Sequence, residues 1–381
     1  MPEPSPATAG AAPPPEAAGD RPALLGRPLA ELGTLLAPWT DRPFRARQVF
    51  DALHRRGVAD FAEMTELPAE LRAELAARFR VGLPEIAETR PAADGTTKYL
   101  LRLADGASIE AVDIPAPDGG GRHTLCISSQ AGCALACAFC VTGYWGAGRN
   151  LTAGEIVGQV LAVRRAAARP DSLNVVFMGM GEPLLNLPAV RAALDLLTDA
   201  MEISWRRITV STSGIVPGIE AMAGWERRPN LAISLHAPDD ARRSRLMPIN
   251  RTYPLAELLA ALARYPLEKG RRITIEYLLV RDVNDAPADA DALARRLAGL
   301  PVKINLIPVN PDPVLGETMV PPSDAAVDAF HRRLKRRGLV STVRRPRGDD
   351  VSAACGQLRA FDRAPRGFAG RNLRRDRASR D

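Results

Sequence analysis

The sequence predicts an α/β protein: a partial barrel of about six strand–helix units, preceded by a small helical unit and a β-hairpin. Three observations lead there. Over residues 119–358 short apolar runs alternate with helical stretches, an order that implies crossover connections and a parallel sheet. Residues 97–115 alternate apolar and polar side chains around an Asp-Gly turn, the pattern of a hairpin. The residues before them carry helical periodicity instead.

Taken in order, residues 1–22 are mostly Pro, Ala and Gly, too poor in bulky apolar side chains to bury a core, and read as a disordered tail. A helical accessory unit follows over 23–88. Asp41 to Phe50 reads as a capped turn entering an amphipathic helix, and Pro68 opens another that runs from Ala69 to Phe79. This unit has many basic residues, a feature of helical modules that bind nucleic acid, although a packing lid is an equal reading. Residues 89–118 form the hairpin extension: Lys98–Leu103, the Asp105-Gly106 turn, then Ser108–Val112. In the 119–358 core a strand near Leu125–Ser128 starts the series. Candidates at Asn174–Met178, Ile208–Ser211, Leu231–Leu235, Ile273–Leu279, Val302–Ile307 and Val340–Val343 continue it. Such a sheet binds ligands at the C-terminal ends of its strands. The tail, 359–381, holds eight arginines and three acids, which suits a flexible phosphate-contacting segment or simply a solvated end.

Composition sets further bounds. With 46% hydrophobic and 25% charged residues in 381, the chain has enough apolar surface for a large globular core. No apolar run approaches the ~18–20 residues that cross a bilayer, and the N-terminus lacks the basic-then-apolar order of a signal peptide. A cytoplasmic location is the expectation. The formal charge of +7 favours a polyanionic partner, while high-GC codon usage raises Arg content equally well.

Five cysteines, Cys126, Cys133, Cys137, Cys140 and Cys355, are an odd count, four of them within fifteen residues. That argues against a disulfide framework and for ligand or redox chemistry. Cys133, Cys137 and Cys140 have a C-x3-C-x2-C spacing, with Gly132, Ala134, Ala136 and Ala138 between and before them. Small residues let the backbone wrap closely around one centre. Thiolates suit an iron–sulfur cluster or zinc; zinc normally takes a fourth Cys or His, and the nearest candidate is His123 on the preceding strand. Gly179-Met180-Gly181-Glu182-Pro183 directly follows a candidate strand, so its carboxylate is placed to accept bonds from an ammonium; an ordinary turn can read the same way.

The cysteine spacing, Phe139 before the last cysteine and the Gly-Glu-Pro segment resemble the radical S-adenosylmethionine (SAM) superfamily, and the predicted barrel then becomes its partial (β/α)6 barrel. Within it the chain resembles the RlmN/Cfr RNA methyltransferases from about Leu24 to Leu358. The likeness rests on Pro43–Gln48, Met64-Thr65, Asp94–Thr96, Cys126–Gln130, Arg149–Leu151, Ser211–Gly214, Ser234–Pro238, Ile304–Pro308, Arg347–Asp350 and Ala354–Leu358. It implies methylation of adenosine C2 in 23S rRNA (position 2503) and tRNA (position 37), with one [4Fe-4S] cluster on Cys133, Cys137 and Cys140. Two SAM molecules are consumed per methylation, the one at the cluster being exchangeable. The resemblance makes Cys355 the S-methyl carrier, Cys126 the thiol that resolves a protein–RNA adduct through a transient Cys126–Cys355 disulfide, and Glu110 the proton acceptor. It carries SAM contacts onto Gly181, Glu182, Ser211, Ser234, Leu235, His236 and Asn310. It further implies an electron donor such as flavodoxin or ferredoxin, no membrane, and a monomer.

Read as residues alone, several of these stay open. Two thiols remain once the cluster is ligated, the number that methyl carriage and adduct resolution require. Arg344, Arg345 and Arg347 precede Cys355, and Gly356 suggests a mobile loop. Cys126 also fits plain strand, Glu110 a solvent-facing hairpin position, and His236 a core histidine. The chain departs from the family in Thr142–Gly148, where Tyr144-Trp145 suits either stacking on a base or packing. Other readings are a C8-directed enzyme of the Cfr type, a radical enzyme acting on a peptide, and a non-catalytic RNA-binding protein with a structural metal.

Overall fold

The computed structural model describes residues 21–116, 121–167, 173–316, 319–344 and 347–358; the arginine-rich tail and Arg345 lie outside them. Its N-terminal part is helical: α1 (Leu29–Leu36), α2 (Phe44–Asp51), a π-turn (Ala52–Arg56) and α3 (Ala69–Arg78). Leu32 of α1, Val49 of α2, Leu53 of the π-turn and Leu75 of α3 are fully buried. They share a continuous core with Val157 and Leu161 of the helix α5 (Ala153–Ala167). Contact between the two parts is close: a Cβ on Gly154 would stand 2.3 Å from the Leu25 carbonyl oxygen. Buried His54 fastens the same seam, its Nε2 accepting from the Gly26 N–H at 3.0 Å while its Nδ1 meets the Phe50 carbonyl.

Next comes a three-stranded antiparallel segment, β1 (Glu85–Pro91), β2 (Thr97–Arg102) and β3 (Ser108–Pro115). The strand β1 was not expected from the sequence. Its alternate residues are exposed and it lies at the sheet edge, so it carries little of the apolar signal that marks a strand. β3 then pairs antiparallel with β4 (His123–Cys126), which joins the hairpin directly to the barrel sheet.

From β4 onward the sheet is parallel: β7 (Leu173–Phe177), β8 (Ile208–Thr212), β9 (Asn230–Ser234), β10 (Ile273–Leu279), β11 (Val302–Pro308) and β12 (Ser341–Val343) follow in chain order. The helices α5, α6 (Leu187–Asp199), α7 (Val216–Ala223), α8 (Asp240–Leu246), α9 (Leu255–Arg264), α10 (Pro287–Arg296) and α11 (Asp324–Arg336) connect them. The expected α/β partial barrel is therefore present as six parallel pairings within an open ten-stranded sheet. Every residue of β10 is buried, as expected of a strand covered on both faces. A short ladder, β5 (Gln130–Ala131) with β6 (Arg149–Asn150), brackets the cysteine loop and the helix α4 (Val141–Trp145). No helix is long and apolar enough to cross a membrane among the described residues.

Candidate active site

The cysteine loop leaves the C-terminal end of β4 and returns through α4 and β6. Its base is drawn tight by glycine: a Cβ on Gly148 would fall 1.4 Å from the Ala131 carbonyl oxygen, and Gly132 sits at φ +114°. Three backbone bonds hold the loop open toward the barrel. Cys133 N–H donates to Gly146 O, Cys140 N–H to Cys137 O, and Ala138 N–H to Leu246 O at the end of α8. Tyr144 is buried, its hydroxyl 3.3 Å from the Ala138 carbonyl, so this ring packs under the loop.

All three thiols line one cavity of about 150 Å³ at the strand C-termini. Burial, then repulsion from Cys140, pushes the Cys133 thiol up to about 12; burial and then the neighbouring thiols raise Cys137, and burial raises Cys140 against the pull of a Thr142 hydrogen bond. Soft donors so crowded are held as thiolates only by a cationic centre. Among the described residues no three His, Cys, Asp or Glu side chains converge as ligands of one ion do. Thiolates on a cubane each take a different iron, so three soft donors on one wall fit such a cluster. His123 faces elsewhere, its Nδ1 2.8 Å from Asp113.

Opposite the thiols lies the Gly179–Pro183 segment. Gly181 has φ +96°, and a Cβ there would meet Gln130 Cβ at 2.5 Å, which excludes other residues from this turn. Glu182 is buried. Its Oε2 accepts from Ser213 N–H at 2.7 Å and its Oε1 from Leu184 N–H at 3.0 Å. Burial raises its carboxyl while these amides pull the other way. Ser211, Ser234 and His236 line the same cavity. His236 sits at φ +59° with Nδ1 accepting from Leu278 N–H at 3.0 Å. Burial, aided by Arg243, lowers it to about 3, so it is a neutral imidazole whose proton is on Nε2. Leu235 is buried behind this wall and does not line it.

A second, smaller cavity of about 30 Å³ adjoins the first and is lined by Cys126, Ile114, Asn310 and Ala353 among others. Met178, Ile307, Arg344 and Cys355 line both. Burial, then the proximity of Cys355, pushes the Cys126 thiol up to about 12. The Cys355 segment is tied on three sides. Val141 N–H donates to Gly356 O at 2.7 Å and the Thr142 hydroxyl to Leu358 O at 2.7 Å. Asn310 Nδ2 donates to the Cys355 carbonyl at 3.1 Å. On the hairpin side Lys98 Nζ reaches Ser352 O at 3.2 Å, and Arg347 bonds Asp94 at 2.6 Å. Gly356 thus serves close approach, since a Cβ there would stand 2.9 Å from Phe139 O.

Glu110 is fully buried rather than solvent-facing, 3.3 Å from Lys98 Nζ. It shares the sheet face of Ile114 and, through the Val112–Cys126 pair, that of Cys126. It lines neither cavity. The structure therefore gathers the three thiols, Gly181, Glu182, Ser211, Ser234, His236 and Cys355 around one space. Cys126 and Asn310 lie around the next, with Glu110 on the adjoining strand.

Comparison with known proteins agrees with this geometry. Residues 127–294 match the model of the radical SAM superfamily, and residues 23–81 that of the ribosomal RNA large subunit methyltransferase N-terminal domain. A dual-specificity RNA methyltransferase RlmN from Anaeromyxobacter dehalogenans is 48% identical over 351 residues, covering 90% of this chain and 92% of its own. The chain belongs to the RlmN family. The RlmN of Sorangium cellulosum is 49% identical, over 86% of this chain and 93% of its own. A radical SAM methyltransferase structure from Sphaerobacter thermophilus superposes with a TM-score of 0.84 at 47% identity, covering 89% of this chain and 99% of that one. As an RlmN-family member the chain is a SAM-dependent radical RNA methyltransferase, and the superfamily carries a [4Fe-4S] cluster.

Three residues at this RlmN site were not singled out by sequence as site residues. Arg243 of α8 is fully buried, with its guanidinium donating to the carbonyls of Ser213, Ser234 and Leu235 and to Asn250 Oδ1 at 2.7–3.2 Å. It clamps the ends of β8 and β9. Burial lowers it to about 10. Glu276, buried in β10, lines the large cavity, and Arg344 lines both. A carboxylate within the apolar run Ile273–Leu279 was the available signal for Glu276; nothing local distinguishes Arg243 from the arginines beside it.

Proposed function

We propose that this enzyme methylates C2 of adenosine in 23S rRNA at position 2503 and in tRNA at position 37, with Cys355 as the methyl carrier. The observation that carries the reading is the place of Cys355 on the wall shared by the thiol-lined cavity and the Cys126 cavity. Cys133, Cys137 and Cys140 would hold the cluster, and Gly181, Glu182, Ser211, Ser234 and His236 would bind SAM beside it. Bound there, cluster and SAM supply a 5′-deoxyadenosyl radical.

C2 of adenine is not nucleophilic, so a simple displacement cannot place a methyl group on it. Cys355 first takes the methyl by displacement at one SAM. Loss of a hydrogen atom from this S-methyl group leaves a methylene radical that adds to C2 and joins protein to RNA. Glu110 accepts the C2 proton, with Lys98 holding its carboxylate. One electron passes from this adduct to the external electron carrier; Cys126 then attacks the Cys355 sulfur, the S–S bond forming as the C–S bond breaks, and the freed carbon takes a proton to become the methyl group. Burial that holds Cys126 as a thiol keeps it inactive until Cys355 carries the adduct. An external electron carrier such as flavodoxin or ferredoxin supplies one electron for radical formation and two to return the disulfide to thiols, and one chain holds every side chain named.

Anaerobic reconstitution with SAM and an rRNA fragment, followed by mass mapping of the nucleoside, tests this. The expected product is 2-methyladenosine from wild type and none from Cys355→Ala. Equal product from both would end the methyl-carrier reading, and 8-methyladenosine would show Cfr-type chemistry instead.

A further inference from the structure

Two polar groups on the wall of the large cavity are left over by the assignment above. Glu276 is 5% exposed. Its Oε1 accepts from Asn305 Nδ2 at 3.1 Å, and Asn305 is itself fixed by the Thr342 hydroxyl at 2.8 Å. Its Oε2 is buried and has no hydrogen-bond partner among the described residues. A buried carboxylate oxygen so held costs stability unless a ligand completes it. Arg344 stands next to it at the end of β12 and lines both cavities. The register Glu276–Asn305–Thr342 puts Arg344, two residues beyond Thr342, on the sheet face of Glu276. Glu276 lines only the larger cavity, whereas Arg344 and Cys355 line both, so Arg344 lies on the Cys355 side of Glu276. The guanidinium feels the charges of Cys355 and Glu276 alike.

We propose that Arg344 and Glu276 recognise the target base as adenine, Arg344 donating to a ring nitrogen and Glu276 accepting from the 6-amino group. This rests on the methyl-transfer reading. With the reacting carbon at Cys355, the next group along the Watson–Crick edge of adenine is the acceptor N1, and the next is the N6 amino donor. Donor then acceptor is the complement that Arg344 and Glu276 present. Guanine places O6 where the amino group would be, so its lone pairs would face the Glu276 carboxylate. A buried site built to bond an amino group rejects the analogue that lacks it. The Asn305 and Thr342 bonds aim the carboxylate and have no other evident use.

SAM also carries an adenine into this cavity, so the test separates the two bases. RNA is prepared with the target adenosine intact or replaced by purine riboside, which lacks only the amino group. Methylation kcat/KM is measured, together with equilibrium binding of the same RNAs to cluster-loaded protein without reductant. Wild type is expected to lose about 10- to 100-fold with purine riboside, the worth of a hydrogen bond to a charged group. In Glu276→Ala this ratio collapses to below about threefold, because the bond is already gone. Glu276→Gln, which preserves side-chain shape, serves if Ala does not load cluster, and its ratio also shrinks. A full penalty in a folded Glu276 variant, or no penalty in wild type, overturns the proposal. So does an unchanged ratio accompanied by a raised KM for SAM, which would assign the pair to SAM's own adenine. No methylated adenosine from wild type on any RNA would instead refute the methyl-transfer reading beneath it.

Discussion

The two cavities that meet at Cys355 differ in the thiols and acids they hold. The larger is polar, with three thiols, a carboxylate held by backbone amides and hydroxyls at the strand ends. The smaller has no acid on its wall: Ile114, Val176, Ala353 and Leu358, with Asn310, Arg344 and Arg347, surround the buried Cys126 thiol. On the proposed function the larger would hold a charged cofactor by fixed polar contacts, and the smaller would keep a thiol protonated until required. Cys355, with Met178, Ile307 and Arg344, lines both, so in the proposed cycle one sulfur would serve both spaces in turn.

The sharpest way to break this division is to remove the thiol of the smaller side. Cys126→Ala leaves the polar cavity intact, so radical chemistry proceeds to the adduct and stops. Protein covalently bound to RNA should accumulate to near one equivalent on denaturing gels, and turnover should fall at least a hundredfold. Free product without adduct would place adduct resolution elsewhere.

A smaller effect is expected from the scaffold behind the polar side. Arg243→Met strands the carbonyls of Ser213, Ser234 and Leu235, with Asn250 Oδ1 losing its partner. A cost of about 2–4 kcal/mol in urea unfolding follows, together with weaker SAM binding, because Ser234 is a proposed SAM contact and Ser213 holds Glu182, another. The Cys126 side should feel little. Equal loss of Cys126 protection from alkylation would show that the two compartments are not separable.

The smallest expected effect lies outside both. Burial lowers His54 to about 4 from an unfolded 6.5. Below pH 6.5 the unfolded chain binds a proton that the folded chain refuses, so stability is fully present above 6.5 and is lost as pH falls toward 4. At pH 5 the loss is about 2 kcal/mol, and His54→Gln should flatten that slope. His236 adds a second loss of the same sign, extending to about pH 3. An identical pH profile in His54→Gln would remove His54 as its source.

Legibility from sequence followed the range of the interaction. The thiol loop and the Gly-Glu-Pro turn are local: their chemistry depends on spacing and on glycines that clash if replaced, and both could be read directly. The hairpin and the parallel strands could be read because buried strands concentrate apolar residues. β1 could not, because an exposed edge strand does not. Nor was the setting of Glu110 legible, since its burial depends on Lys98 across a strand pair and on Ser128, which donates to its carbonyl.

By itself, then, the sequence determined the fold class and singled out the three-cysteine loop, the Gly-Glu-Pro turn and the two remaining cysteines, all properties of short segments. Tertiary structure alone decided that Cys355, 229 positions after Cys126, stands between two cavities with Arg344 and Glu276 on their walls. It also decided that Arg243, one of several neighbouring arginines, is the one that clamps the strand ends. The physical reason is that burial and charge proximity sum over residues far apart in the chain, which no local pattern encodes.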